Sequence, residues 1–313
     1  MKLKLKSIIT AAVAAFMTIM QPISANAADT ANKSIAVLTA EDLASVSGSG
    51  TYYIYQDIDL EGFDWKGISD FSGTLLAYNH SVIKNMSSDD CGLFRKLSSG
   101  AKIKNIHLEN ANIKTNTKML GGLVSYIPAS SSNVEITDCS VNGMVSTTYE
   151  GKSTMNYCGG IAGIVAAKNC VISGCSSAAY VGGVLGEGGI VGLNYGKIND
   201  CAFTGRIQNV KNAPSENPDE VMDEVYYTSF AMGGITGVNF GNISNSVVLL
   251  SDCGSAQYLG LISGVNIKGK GTIKDCVVLG ADRWSDNGDS ENFDVTANIV
   301  KSNNFSKVLK SLI

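Results

Sequence analysis

Apolar residues along this chain recur at alternate positions in short runs, not at the three-and-four spacing of a helix. In GGIVGLNYGKINDCAFTG, residues 188–205, Ile190 and Leu193 lead to Ile198, Cys201 and Phe203. Alternation over four to six residues predicts strands. The stretch also returns along the chain. GGLVSYIPASSSNVEITDCSVNG begins at Gly121, GGIAGIVAAKNCVISGCSS at Gly159 and GGITGVNFGNISNSVVL at Gly233. A degenerate copy begins at Leu259 and an earlier relative, CGLFRKLSSGAKIKNIHLENANI, at Cys91. The six starts are separated by 30, 38, 29, 45 and 26 residues. Within each copy a glycine-led strand precedes an Ile-x-x-Cys strand, and the length differences fall between them.

Fixed strands with variable connections describe a solenoid in which each copy is one turn. A single coil cannot bury its own apolar face. Coils stacked about 4.8 Å apart share a continuous core, and equivalent residues form ladders along it. Glycines are expected at the corners, for positive φ or close backbone approach. The expected fold is therefore all-β, a right-handed parallel β-helix of about six coils with short helical caps. Thr39–Val46 reads as the N-terminal cap, with Thr39 and Asp42 at capping-box spacing and Leu43 and Val46 facing the first coil. Val308, Leu309 and Leu312 stand at helical spacing and predict a C-terminal cap. The expected divisions are a leader over 1–27, an N-terminal cap over 28–50, the solenoid over 51–280 and a C-terminal cap or tail over 281–313.

The pattern Gly-Gly-Ile-Val-Gly-x-Asn-x-Gly-x-Ile-x-x-Cys, beginning at Gly188, resembles the GLUG motif of bacterial surface and secreted proteins. These include adhesin-like proteins and non-catalytic regions of some IgA-cleaving peptidases. VLTAEDLASVSGSGTYYIYQDIDLEGFDWKGI, FSGTLLAYNHSVIKNMS and CGLFRKL look like the lead-in of such domains, so the resemblance covers Val37 to Gly280. It implies the fold and a surface role, and it names no ligand. Two positions depart from the pattern: Ser246 replaces the ladder cysteine, and Leu259 replaces a leading glycine.

The first residues read as a secretory signal. Lys2, Lys4 and Lys6 precede a 13-residue apolar run, Ile8–Met20, and Ala25-Asn26-Ala27 supplies the small residues for cleavage before Ala28. The run is short of the roughly 20 residues that span a bilayer. Past Ala27 there are 21 basic and 28 acidic residues, a balance that argues against nucleic acid as a partner.

Secretion raises the question of disulfides among the eight cysteines. Cys139, Cys175, Cys201 and Cys276 share one repeat position, which makes them a ladder of small buried hydrophobes in the reduced state. Stacked neighbours would also satisfy disulfide spacing. There is no C-x-x-C pair, and His80 and His107 are the only histidines, so no zinc site and no other cofactor is expected. Asp286–Asp294, DNGDSENFD, breaks the EF-hand register and reads as a solvated acidic loop.

Asp138, Asp200 and Asp275 precede ladder cysteines, and Asn105, Gly174 and Asn245 are their counterparts. That exchange among Asp, Asn and Gly predicts a left-handed corner. Asp138 and Asp200, two rungs apart, leave open a paired-carboxylate glycosidase or lyase. Arg95, Arg206 and Arg283 are the only arginines, few for a lyase acting on acidic sugars.

The 45-residue spacing comes from an insertion, 208–230. Asn217, Pro218 and the acids after them predict a short helix. Glu216, Asp219, Glu220, Asp223, Glu224, Tyr226 and Tyr227 are the candidate binding residues, because displayed loops on rigid scaffolds commonly carry recognition. The expected activity is non-enzymatic and adhesin-like, binding a host glycan or protein surface. A carbohydrate-active β-helix enzyme is the alternative.

Overall fold

The computed structural model describes residues 34–148, 156–209, 231–249, 258–279 and 299–302. The chain is a parallel β-helix. Its described strands build one nine-stranded, one five-stranded, one six-stranded and one twelve-stranded sheet, and pairing within them is parallel.

The nine-stranded sheet is the spine. It runs from Ser34–Val37 through Thr51–Ile54, Thr74–Ala77, Lys102–Lys104, Glu135–Thr137, Val171–Ser173, Lys197–Asn199 and Asn242–Ser244 to Thr272–Lys274. Its register aligns Tyr52, Leu75, Ile103, Ile136, Ile172, Ile198, Ile243 and Ile273 in one column. All eight are buried. β-Branched isoleucine suits this position because its restricted χ1 matches the pleated backbone and its identical shape repeats up the stack. The stack is longer than the six motif copies. The lead-in strands Thr51–Ile54 and Thr74–Ala77 form full rungs without the motif, because a rung requires only inward apolar alternation.

Asn105, Asp138, Asp200, Asn245 and Asp275 have φ between 50° and 55°, and Gly174 has φ 65°. The corner reading is thereby confirmed. Of the two roles expected for glycine, the leading motif glycines take close backbone approach, while the left-handed corners fall to Asn, Asp and Gly174. At Gly188 a Cβ would collide with the Val191 carbonyl, and at Gly192 it would sit 2.7 Å from the Gly163 oxygen and 2.8 Å from the Cys158 nitrogen. These glycines let the five- and six-stranded sheets pack backbone against backbone. Ile190, Ile198, Cys201 and Phe203 enter the main core. Leu193 does not. It joins Tyr157, Ile164, Val238 and Val265 in a second apolar layer.

Asn194, Asn239 and Asn266 add a buried amide ladder. Asn194 Nδ2 donates to Asn239 Oδ1 at 2.9 Å, and Asn239 Nδ2 donates to Asn266 Oδ1 at 2.8 Å. Each of the first two also accepts from the glycine two residues on, so the turn after the strand is closed by the same side chain.

The N-terminal cap is a helix, Ala40–Ser45. The Asp42 amide donates to Thr39 Oγ1 at 3.1 Å, the Asp42 carboxylate accepts from the Thr39 amide, and Leu43 is buried. The predicted C-terminal helix lies outside the described residues. Within the predicted C-terminal cap or tail, Ile299–Ser302 is instead a strand, parallel to Cys276–Leu279.

Candidate functional site

The seven predicted binding residues, Glu216, Asp219, Glu220, Asp223, Glu224, Tyr226 and Tyr227, lie outside the described residues, as does Asp286–Asp294. The other sequence candidates are placed. Cys139, Cys175, Cys201 and Cys276 are buried free thiols, and so are Cys91, Cys158 and Cys170. The Cys201 thiol donates to the Ile172 and Asn199 carbonyls at 3.7 and 3.3 Å. Burial holds Cys139 and Cys201 well above the ordinary thiol range and pushes Cys91 and Cys276 up to about 11 and Cys170 up to about 12. Since the thiolate is the nucleophile and the metal ligand, these five side chains, held neutral by burial, are packing. Ser246 fills the missing ladder position by donating to the Ser244 carbonyl at 2.8 Å. Among the described residues no group of three or more His, Cys, Asp or Glu is placed to hold a metal.

Asp138 and Asp200 stand two rungs apart, as expected. Gly174 occupies the rung between them, and the Asp138 carboxylate lies over it. Burial raises Asp138, while Asp200 accepts from the neighbouring Asn199 amide. His107 and Ser140, by contrast, are brought together as register partners. Their Nδ1 and Oγ stand 2.8 Å apart, and burial, then nearby His80, lowers the imidazole pKa. Thirty-three residues separate the two, so only the rung register could reveal the pair.

The N-terminal end carries a different arrangement. On the outward face of the nine-stranded sheet, one column reads Ala36, Tyr53, Leu76, Lys104, Thr137, Ser173, Asn199, Ser244, Lys274. One residue past the registered trio Val37, Ile54 and Ala77 stand Leu38, Tyr55 and Tyr78. These two outward columns are thus apolar and aromatic over the first three rungs, beside a polar column of Ser34, Thr51 and Thr74, and later rungs are mainly polar. Tyr55 and Tyr78 are stacked, with centroids 5.4 Å apart and planes at 5°. Tyr53 leans on both, at 6.1 Å from Tyr55 and 5.4 Å from Tyr78. Ile35, Leu38 and Tyr55 are the exposed large hydrophobic residues among those described, at 42%, 42% and 47%.

A groove of about 460 Å³ adjoins this patch through Leu38. Its far wall includes Asp57, Asp59, Glu61 and Phe63, and Glu41 stands at the helix side. Lys84 Nζ donates to Asp57 at 2.6 Å, and that bond, then the Val82 amide, holds Asp57 below the ordinary carboxylate range. Asn85 Nδ2 donates to Asp59 at 2.8 Å, and that bond, then the Glu61 amide, does the same there. These two carboxylates are therefore already engaged by the scaffold.

Fold and surface together define a parallel β-helix protein with an aromatic patch and an open groove at the first rungs. No family model matches the chain, and no curated protein matches it. Among solved structures it is similar to the crystal structure of a putative immunoglobulin A1 protease from Bacteroides ovatus, with a TM-score of 0.56 and 20% identity over 90% of this chain and 84% of that one. At that identity the likeness carries the fold alone. No helix among the described residues is long and apolar enough to cross a membrane.

Proposed function

We propose that this chain is a secreted, GLUG-type β-helix that binds a ligand without turning it over, and that its recognition surface is the N-terminal end. One observation carries the reading. Among the described residues, the exposed large apolar side chains gather on the first rungs, beside a groove, instead of scattering singly over the surface as they do on most soluble proteins. A rigid stack suits such a role, because its side chains are held in register before the ligand arrives and little ordering is lost on binding.

The test is saturable binding of the purified chain to arrayed glycans and cell-surface proteins, with products analysed in parallel. Binding without cleavage is expected, weakened at least about tenfold in a Leu38→Ser, Tyr55→Ser double variant. Cleavage of a bound ligand, or undiminished binding by the variant, would overturn the reading.

A second reading, a hydrolase, is favoured by the His107–Ser140 contact and by the protease designation of the similar Bacteroides ovatus protein. A neutral imidazole on a serine hydroxyl is the first half of a nucleophilic pair. Covalent labelling of Ser140 by a fluorophosphonate, abolished in His107→Ala, would favour it, and an unlabelled Ser140 removes it.

A further inference from the structure

We infer that Tyr53, Tyr55 and Tyr78 form a subsite for a neutral sugar ring; this rests on the reading of the N-terminal end as a binding surface. Three properties of the cluster point to that chemistry. First, the aromatic rings are held in place. Tyr55 and Tyr78 come from adjacent rungs fixed by the parallel ladder, and Tyr53 braces both. A pyranose presents an apolar face of C–H groups, and an ordered aromatic surface meets that face with little loss of side-chain freedom.

Second, no described residue makes a hydrogen bond to any of the three tyrosine hydroxyls, whereas the hydroxyls of Tyr52 and Tyr180 bond to Ser47 and Gln208. A cluster built only for packing needs no phenol groups. Unspent hydroxyls at the margin of an apolar surface suit a ligand that is itself apolar on one face and rich in hydroxyls around its rim. The turn that follows Tyr78 carries further polar groups. Asn79 and His80 are exposed and are held in the left-handed conformation, with φ 53° and 56°.

Third, the patch carries no formal charge. The nearest cation down the Tyr53 column, Lys104, is paired with Glu135 at 3.4 Å, and Lys84 is paired with Asp57. The groove wall beyond Leu38 is acidic. A uronic acid or sulfated sugar would face the like charge of that wall, with Lys102, on the next rung beside Thr74 and outside the described ion pairs, as the cation left near it, so the surface favours neutral sugars. It also offers less to a protein partner, since six residues, Ala36, Leu38, Tyr53, Tyr55, Leu76 and Tyr78, make a small contact beside the roughly 800 Å² that each side of a stable protein interface buries.

The deciding experiment titrates the purified chain with neutral and acidic oligosaccharides, followed by saturation-transfer NMR. Neutral oligosaccharides are expected to bind and to receive saturation on their ring C–H protons. Tyr55→Ala and Tyr55→Leu are both expected to weaken binding at least about tenfold, since leucine restores apolar bulk without a ring. Tyr55→Phe should cost only a fewfold loss, and Tyr180→Ala, on another sheet, none. Circular dichroism of each variant reports folding, and Tyr55 is exposed enough for the exchange to leave the core intact. Preference for acidic sugars, full affinity in Tyr55→Leu, or a Tyr55 effect confined to self-association would overturn the inference. If arrayed proteins bind through this end while neutral sugars neither bind nor compete, the sugar assignment fails and the wider binding reading stands.

Discussion

Glu187 offers a test of how this core is built. It belongs to Gly186–Gly188 of the five-stranded sheet, in register between Cys158 and Met232, in a column that also holds Leu120 and Leu259. The side chain is fully buried, and neither carboxylate oxygen has a hydrogen-bond partner. An ionised carboxylate there has no compensating group, so the acid stays protonated, and burial pushes its pKa up to about 8 from 4.5. Below pH 4.5 both folded and unfolded chains hold the proton, and the residue's contribution to stability is complete. Between 4.5 and 8 the unfolded chain ionises while the folded one does not, and stability falls. The difference of about 3.5 units corresponds to roughly 5 kcal/mol across that window and about 3 kcal/mol by pH 7. Glu187→Gln removes the titration and keeps the shape. Urea melts of both proteins at half-unit intervals from pH 4 to 9 should show the wild type losing roughly 5 kcal/mol relative to the variant, with the divergence ending near pH 8. Because the comparison is a difference, other titrating groups largely cancel. Parallel curves across the window would refute the reasoning, since they would mean that the carboxylate is already ionised and compensated when folded.

Three further outcomes are expected. Asp200→Asn should change stability by less than about 0.5 kcal/mol in chemical denaturation, whereas Asp200→Val should cost about 1–2 kcal/mol because φ is 52° there; equal effects would remove the corner interpretation. Asn239→Ala strands its partners Asn194 and Asn266 in the buried amide ladder and should destabilise by about 1–3 kcal/mol in the same assay. Cys139, Cys175 and Cys201 should react with a thiol reagent at pH 8 only after denaturant is added, as mass spectrometry of the labelled peptides would show; fast native labelling would contradict their burial.

The repeat made the fold legible because a β-helix is built from local alternation copied at each rung. Ile136, Ile172 and Ile198 announce the spine, and Thr39 with Asp42 announces the cap, from residues a few positions apart. The exchange of Asp138 with Gly174 and Asn245 revealed a left-handed corner before any angle was known. What the motif glycines do was less legible. Gly192 answers to the backbone of Gly163 and Cys158, and Gly188 to that of Thr236 and Gly237, 29 to 49 residues away, and composition cannot tell such an approach from a turn. The aromatic surface was hidden for the same reason. Tyr53, Tyr55 and Tyr78 lie in the lead-in, outside the motif copies, where alternation looks like any other strand. Their stacking requires that the strand at 51 lie directly beside the strand at 74, and His107 meets Ser140 by the same device.

The sequence by itself determined the architecture, the ladders and the corners, because those depend on which residues recur at which spacing. The tertiary structure decided which distant residues share a rung, and therefore where three tyrosines cluster, which carboxyl is left without a partner, and how closely two glycine-lined sheets can approach. Register is a property of neighbouring coils together, and connections of variable length conceal it in the linear chain.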